Sequence, residues 1–135
     1  MEKSQGEKYK ISRGCIYNLN YHLVWTPKRR SKVLVGNVEI DIKVIFKKLA
    51  EDLNIQIISM EIMPDHVHLF VSSHPVLSPH QIVKKFKGAS SNFLRKKYPQ
   101  LLKLPALWSS SYYCGTVGFA SESVVKSYIE NQKGK

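Results

Sequence analysis

Two histidines one residue apart, His66 and His68, lie in the run Pro64-Asp65-His66-Val67-His68-Leu69-Phe70. On a β-strand, alternate side chains leave the same face roughly 6.5 Å apart along the chain. Both imidazoles can then reach one metal ion while Val67 turns toward the core. Farther on, Tyr128 and Gln132 are four residues apart, the spacing that stacks two side chains on one face of a helix. A phenol there offers a nucleophile, and an amide carbonyl offers a third ligand. Each pair also has a plainer reading. Alternating histidines on a solvated strand are often only polar surface, and a helical tyrosine more often packs while a glutamine meets water. What favours chemistry is the combination: a strongly basic chain, a two-His strand and a Tyr/Gln helix suit metal-assisted attack on a phosphodiester.

The charge supports that direction. The 135 residues hold 21 Lys and Arg against 10 Asp and Glu, a net charge of +11. No acid occurs between Lys8 and Val38 or between His66 and Ser121. Two acid-free zones imply a positive face and a polyanionic partner, favouring nucleic acid over a merely solubilising surface. Arg29, Arg30, Lys84, Lys85 and Lys87 are the candidate contacts to a DNA backbone. Trp108, Tyr112 and Tyr113 are either core aromatics or platforms for unpaired bases. A chain of this length suits one domain with a real core, and the 43% hydrophobic content argues against global disorder. The absence of a long apolar run or a leader-like start leads us to expect a soluble, cytoplasmic protein. Cys15 and Cys114 make no disulfide framework and read as small core residues.

The elements that must position these groups follow from periodicity. Residues 1–13 read as a polar arm and 14–135 as a single domain. Ile16 to Trp25 predicts a strand, followed by the basic loop Thr26-Pro27-Lys28-Arg29-Arg30. Val38 to Asn54 has the spacing of an amphipathic helix. Ile55 to Met63 and His66 to Ser72 predict a hairpin turned at Pro64-Asp65. Ser78-Pro79 caps a helix running to about Lys97. Its small run Gly88-Ala89-Ser90-Ser91 admits a close neighbour or weakens the helix. Leu107 to Val117 predicts the last strand, and Ser121 caps a helix from Glu122 to Gln132. The first six elements give an α+β, ferredoxin-like split β-α-β fold: an antiparallel sheet with helices on one face, plus an extra C-terminal helix carrying the tyrosine. His22, on the first strand, reads as a structural histidine near the pair, and His74 and His80 as surface residues.

With these motifs in order, the sequence resembles the single-tyrosine HUH transposases of small insertion sequences that transpose as single-stranded DNA. The resemblance rests on Tyr21-His22-Leu23-Val24-Trp25-Thr26-Pro27-Lys28-Arg29-Arg30, Met63-Pro64-Asp65-His66-Val67-His68-Leu69, Lys87-Gly88-Ala89-Ser90-Ser91, Leu107-Trp108-Ser109 with Thr116-Val117-Gly118, and Tyr128-Ile129-Glu130-Asn131-Gln132. It implies that Tyr128 is the nucleophile and that His66, His68 and Gln132 hold the metal. Two imidazoles would equally suit zinc; the resemblance points to Mg²⁺ or Mn²⁺. It also implies a homodimer, with active sites that can be shared between subunits, acting on single-stranded DNA hairpins at element ends. No nucleotide cofactor and no membrane are expected. Three other readings remain: a domesticated relative acting on repeated chromosomal hairpins, a non-catalytic single-strand binder, and a metal-dependent hydrolase of a small phosphorylated substrate.

Overall fold

The computed structural model describes residues 10–12, 14–116 and 122–135. A short hairpin opens the described chain: β1 (Lys10–Ser12) pairs antiparallel with β2 (Cys15–Tyr17). Gly14 takes a φ of 73° in its turn, a conformation that glycine adopts without steric cost. The last residues of the expected polar arm are thus paired in a hairpin. The expected first strand is interrupted at Asn18, because Ile16 belongs to that hairpin while β3 (Leu19–Trp25) belongs to the main sheet. Residues 1–9 and Arg13 of the arm, Val117, Gly118 and the capping Ser121 lie outside the described residues.

The main sheet joins β3, β4 (Gln56–Met63), β5 (His66–Ser73) and β6 (Tyr113–Thr116), all neighbours antiparallel in the order β4-β5-β3-β6. Helices α1 (Asn37–Leu53) and α2 (Pro79–Lys97) form the connections. This is the ferredoxin-like arrangement expected from the element order. Side chains alternate as the pleat requires: Leu23 and Trp25 on β3 and Val67, Leu69 and Val71 on β5 are fully buried. They join Ile42 and Phe46 of α1 and Ile82, Phe86 and Leu94 of α2 in one core. The N-terminus of α2 carries the full reciprocal cap, with Gln81 N donating to Ser78 Oγ at 3.1 Å and Ser78 N donating to Gln81 Oε1 at 2.8 Å.

The sequence expectation fails most at the last strand, since among the described residues of that stretch only Tyr113–Thr116 form a strand with β3. Residues 107–112 instead form an irregular segment, bridged to β3's exit through Pro27 and Trp108. Trp108 Nε1 donates to Ser90 Oγ at 3.0 Å, and both residues are buried. Within the small run of α2, Ser90 therefore serves as a docking point for the indole. Gly88 faces open space, so no close backbone contact depends on it. The final helix, α3 (Glu122–Glu130), ends before Gln132, which lies in the turn that follows. Neither cysteine joins the core: Cys15 is half-buried and Cys114 exposed.

Candidate active site

His66, His68 and Phe70 occupy the half-buried face of β5, alternating with the core residues Val67 and Leu69. Strand register shows what shares that face. His68 pairs with Glu61 on β4 and with Val24 on β3, and Val24 pairs with Tyr113 on β6. His22 lies opposite Phe70, and their rings stack at 4.4 Å. His22 Nδ1 and His68 Nε2 are 3.4 Å apart, within reach for one ring to donate to the other. His22 is thus a direct neighbour of the pair, a closer role than its spacing alone could assign.

The β4–β5 turn orients the other imidazole. Met63 pairs with His66, so Pro64-Asp65 is the whole connection. Asp65 Oδ1 lies 2.9 Å from His66 Nδ1, and its Oδ2 is 3.0 Å from Arg30 Nε. A carboxylate on Nδ1 favours the proton there and leaves the Nε2 lone pair available to a ligand, as in a supported metal-binding histidine. Arg29 and Arg30 adopt φ values of 59° and 53°, two consecutive non-glycine residues in the left-handed region. The tight turn delivers the Arg30 guanidinium to Asp65. From there Arg30 Nη1 donates to Ile129 O, in the last turn of α3, at 3.4 Å, where a cation complements the helix C-terminus.

Tyr128 lies over the same face. Its ring is 6.3 Å from that of Tyr113, a member of the row that contains His68. Its hydroxyl is 2.9 Å from Ser111 Oγ, and Ser111 Oγ donates to Gln132 Oε1 at 3.0 Å. Gln132 is buried, with 5% of its surface exposed. The tyrosine helix therefore lies beside β6 and Ser111 of its own chain, and Arg30 and Asp65 link it to the two-His strand. Burial pushes the Tyr128 phenol above its ordinary value. At neutral pH it keeps its proton until attack. Burial likewise lowers the His68 imidazole, reinforced by the neighbouring His22 and His66 and opposed by Glu61, so it is neutral and able to ligate near pH 7.

The candidate DNA contacts separate. Arg29, Lys84 and Lys85 are exposed. Arg30 is committed to Asp65 and Ile129. Lys87 turns inward and donates to Ser109 O at 2.8 Å and Ser111 O at 2.7 Å. Those bonds also explain the missing strand, because carbonyls held by an amine are not offered to a ladder. Trp108 is buried, and Tyr112 packs against the core. His80 is exposed beside the Tyr112 hydroxyl, while His74 is half-buried and its Nε2 meets Leu53 O at 3.1 Å. Sequence reasoning missed Ser111, Asp65 as a link, and Glu61: the first two lie outside the regular elements, where no periodicity marks them, and Glu61 sits on β4, where only the strand register brings it opposite His68.

Among the described residues no group of three or more His, Cys, Asp and Glu side chains is placed to hold a metal. A cation here would draw on the two imidazoles and the Gln132 carbonyl, leaving positions for phosphate oxygens and water. That incomplete, mixed nitrogen and oxygen set fits a divalent ion. None of the described helices is long and apolar enough to cross a membrane.

A compact antiparallel sheet presenting paired imidazoles under a tyrosine helix, in a strongly basic chain, is the architecture of a DNA-processing transposase domain. Residues 15–132 match the "Transposase IS200 like" family, and the chain belongs to that family, the IS200-like (Y1) transposases. It is 40% identical over 129 residues to the ISDra2 transposase TnpA of Deinococcus radiodurans, covering 93% of this chain and 92% of that protein. It is 29% identical over 119 residues to the transposase of insertion sequence element IS200 from Salmonella typhimurium, covering 86% and 78% respectively. Among solved structures, a Deinococcus radiodurans chain assigned as a transposase superposes with a TM-score of 0.86 at 36% identity, covering 93% of this chain and 99% of that one. A REP-associated tyrosine transposase bound to a REP hairpin shares the fold alone, with a TM-score of 0.53 at 12% identity, covering 90% of this chain and 68% of that one.

Proposed function

We propose that this transposase cuts and rejoins single-stranded DNA at hairpin-bearing insertion-sequence ends, with Tyr128 as nucleophile. The observation that carries the reading is the Tyr128 phenol beside Gln132, over the sheet face that displays His66 and His68. The phenolic oxygen bonds to phosphorus as the bond to the 3′-oxygen breaks, yielding a 3′-hydroxyl and a 5′-phosphotyrosine. The phenol proton passes to water, and the leaving oxygen takes one up. In the reverse step a second 3′-hydroxyl attacks the phosphotyrosine, and Tyr128 recovers its proton. One phosphodiester replaces another, so no nucleotide is consumed.

His66, with Nδ1 held by Asp65, and neutral His68 would hold a divalent cation together with the Gln132 carbonyl. When bound, it supplies Lewis-acid polarisation of the scissile phosphate and neutralises developing charge. Arg29, Lys84 and Lys85 offer exposed positive charge for the DNA backbone. A homodimer is proposed, each chain recognising one hairpin. The hairpin in the REP-associated neighbour supports this class of partner, and the much higher identity to the ISDra2 transposase favours insertion-sequence ends over dispersed chromosomal repeats.

The test is incubation with a labelled single-stranded hairpin substrate and Mn²⁺, followed by denaturing electrophoresis. Wild type is expected to form a covalent protein–DNA species. Tyr128→Phe is expected to bind the hairpin with unchanged affinity and form none. Cleavage that survives in Tyr128→Phe would point to a metal-dependent hydrolase and contradict the proposal.

A further inference from the structure

We propose that Ser111 is the positioning residue that holds the Tyr128 phenol and the Gln132 amide in one fixed relation, and that Lys87 anchors Ser111. The proposal rests on the roles of Tyr128 and Gln132 proposed above. Proton accounting sets its form. Gln132 Oε1 can only accept, so the Ser111 hydroxyl gives it its single proton. The remaining contact, between Tyr128 and Ser111 Oγ, must then run from the phenol to the serine. One hydroxyl fixes the rotation of the phenolic O–H and the direction of the amide carbonyl together.

A serine in a loose loop could not do this, but this loop is pinned on several sides. Lys28 N donates to Leu107 O at 2.8 Å and Ser109 N to Thr26 O at 3.0 Å. Trp108 is held by Ser90. Lys87 reaches from α2 to the carbonyls on either side of residue 110, one of them that of Ser111 itself. Removing a charge from water is costly, so a half-buried lysine spent on two carbonyls needs a purpose; holding this loop supplies one. The chain Lys87–Ser111–Tyr128/Gln132 connects the helical core side of the sheet to the reacting group on its other face. Preorganisation of this kind matters because displacements of about 1 Å at a reacting centre can cost 10²-fold in rate.

The test is single-turnover cleavage of hairpin DNA across a Mn²⁺ series by the full chain and its variants. Ser111→Ala is expected to cleave about 10–100-fold more slowly with unchanged hairpin affinity, the range typical of lost outer-sphere support. Ser111→Thr, which keeps the hydroxyl, is expected within about threefold of wild type, a margin small beside that range. Lys87→Met is expected to show a similar loss, and the double variant to lose no more than the worse single one, since residues acting as a unit are non-additive. Ser111→Cys, a weak donor of similar shape, is expected to fall between alanine and wild type and serves if the alanine variant does not fold. Wild-type cleavage by Ser111→Ala, failure of threonine to rescue, or multiplicative losses in the double variant would overturn the proposal and leave the function of Tyr128 standing. Absence of any covalent species in wild type would overturn both.

Discussion

Replacing Lys87 by methionine separates the energetics of the buried amine from its anchoring role. Unfolded, the amine titrates near 10.5; burial draws it down to about 8 in the folded chain. Between those values the unfolded state holds a proton that the folded state lacks. Wild-type stability therefore rises with pH from about 8 to 10.5, and the penalty for the buried charge is fully present below 8. That interval corresponds to about 3.4 kcal/mol, and partial solvent access at this half-buried site reduces it to roughly 1.5 kcal/mol. Methionine relieves that penalty but strips the donors from Ser109 O and Ser111 O, at about 1 kcal/mol each where water can partly substitute. At pH 7 the two effects nearly cancel, and the variant should match wild type within about 1 kcal/mol. At pH 10.5 wild type keeps its hydrogen bonds without the charge, so the variant should be worse by about 2 kcal/mol. Urea unfolding at pH 7, 9 and 10.5 measures the difference. A gap between the two proteins that stays constant with pH would refute the reasoning, because the amine would then be as well solvated folded as unfolded.

Other perturbations test the neighbouring links. Asp65→Asn should weaken Mn²⁺ binding about 10–100-fold by calorimetry, since His66 loses the carboxylate that sets its tautomer. His22→Phe keeps the stack on Phe70 but removes the ring nitrogen facing His68; a smaller loss of Mn²⁺ affinity, on the order of tenfold, is expected in the same assay. Lys84→Gln with Lys85→Gln should weaken hairpin binding and lower the slope of log affinity against log salt by up to about 2, read by fluorescence anisotropy. An unchanged slope would remove both lysines from the DNA surface.

Much of the fold was legible because periodicity reports it directly. The α1 helix is set by Ile42, Phe46 and Leu49 at helical spacing, and α2 begins at the Ser78-Pro79 cap and ends at Lys97 as its flanking residues indicate. The strand pair around Pro64-Asp65 is visible in its alternation. The failures share a physical cause. Residues 107–112 carry β-forming aromatics, yet the carbonyls of Ser109 and Ser111 are taken by a lysine 20 or more positions away in sequence, a tertiary contact no local pattern encodes. Lys87 looks like its neighbours Lys84 and Lys85 in composition but faces inward with Phe86 and Ser90. Asp65 stood in plain view as a turn residue, and its second role depends on Arg30, brought close only by the left-handed turn. The paired histidines and the Tyr/Gln spacing were readable, whereas the serine joining Tyr128 to Gln132 was not.

The central claim concerns which oxygen attacks the DNA, and Tyr113 is close enough to Tyr128 to serve as an internal control. Tandem mass spectrometry of the proteolysed covalent species formed with hairpin DNA and Mn²⁺ reads the modified residue directly. A 5′-phosphonucleotide on Tyr128 alone is the expected result. The same modification on Tyr113 or Tyr112, with Tyr128 untouched, would contradict it.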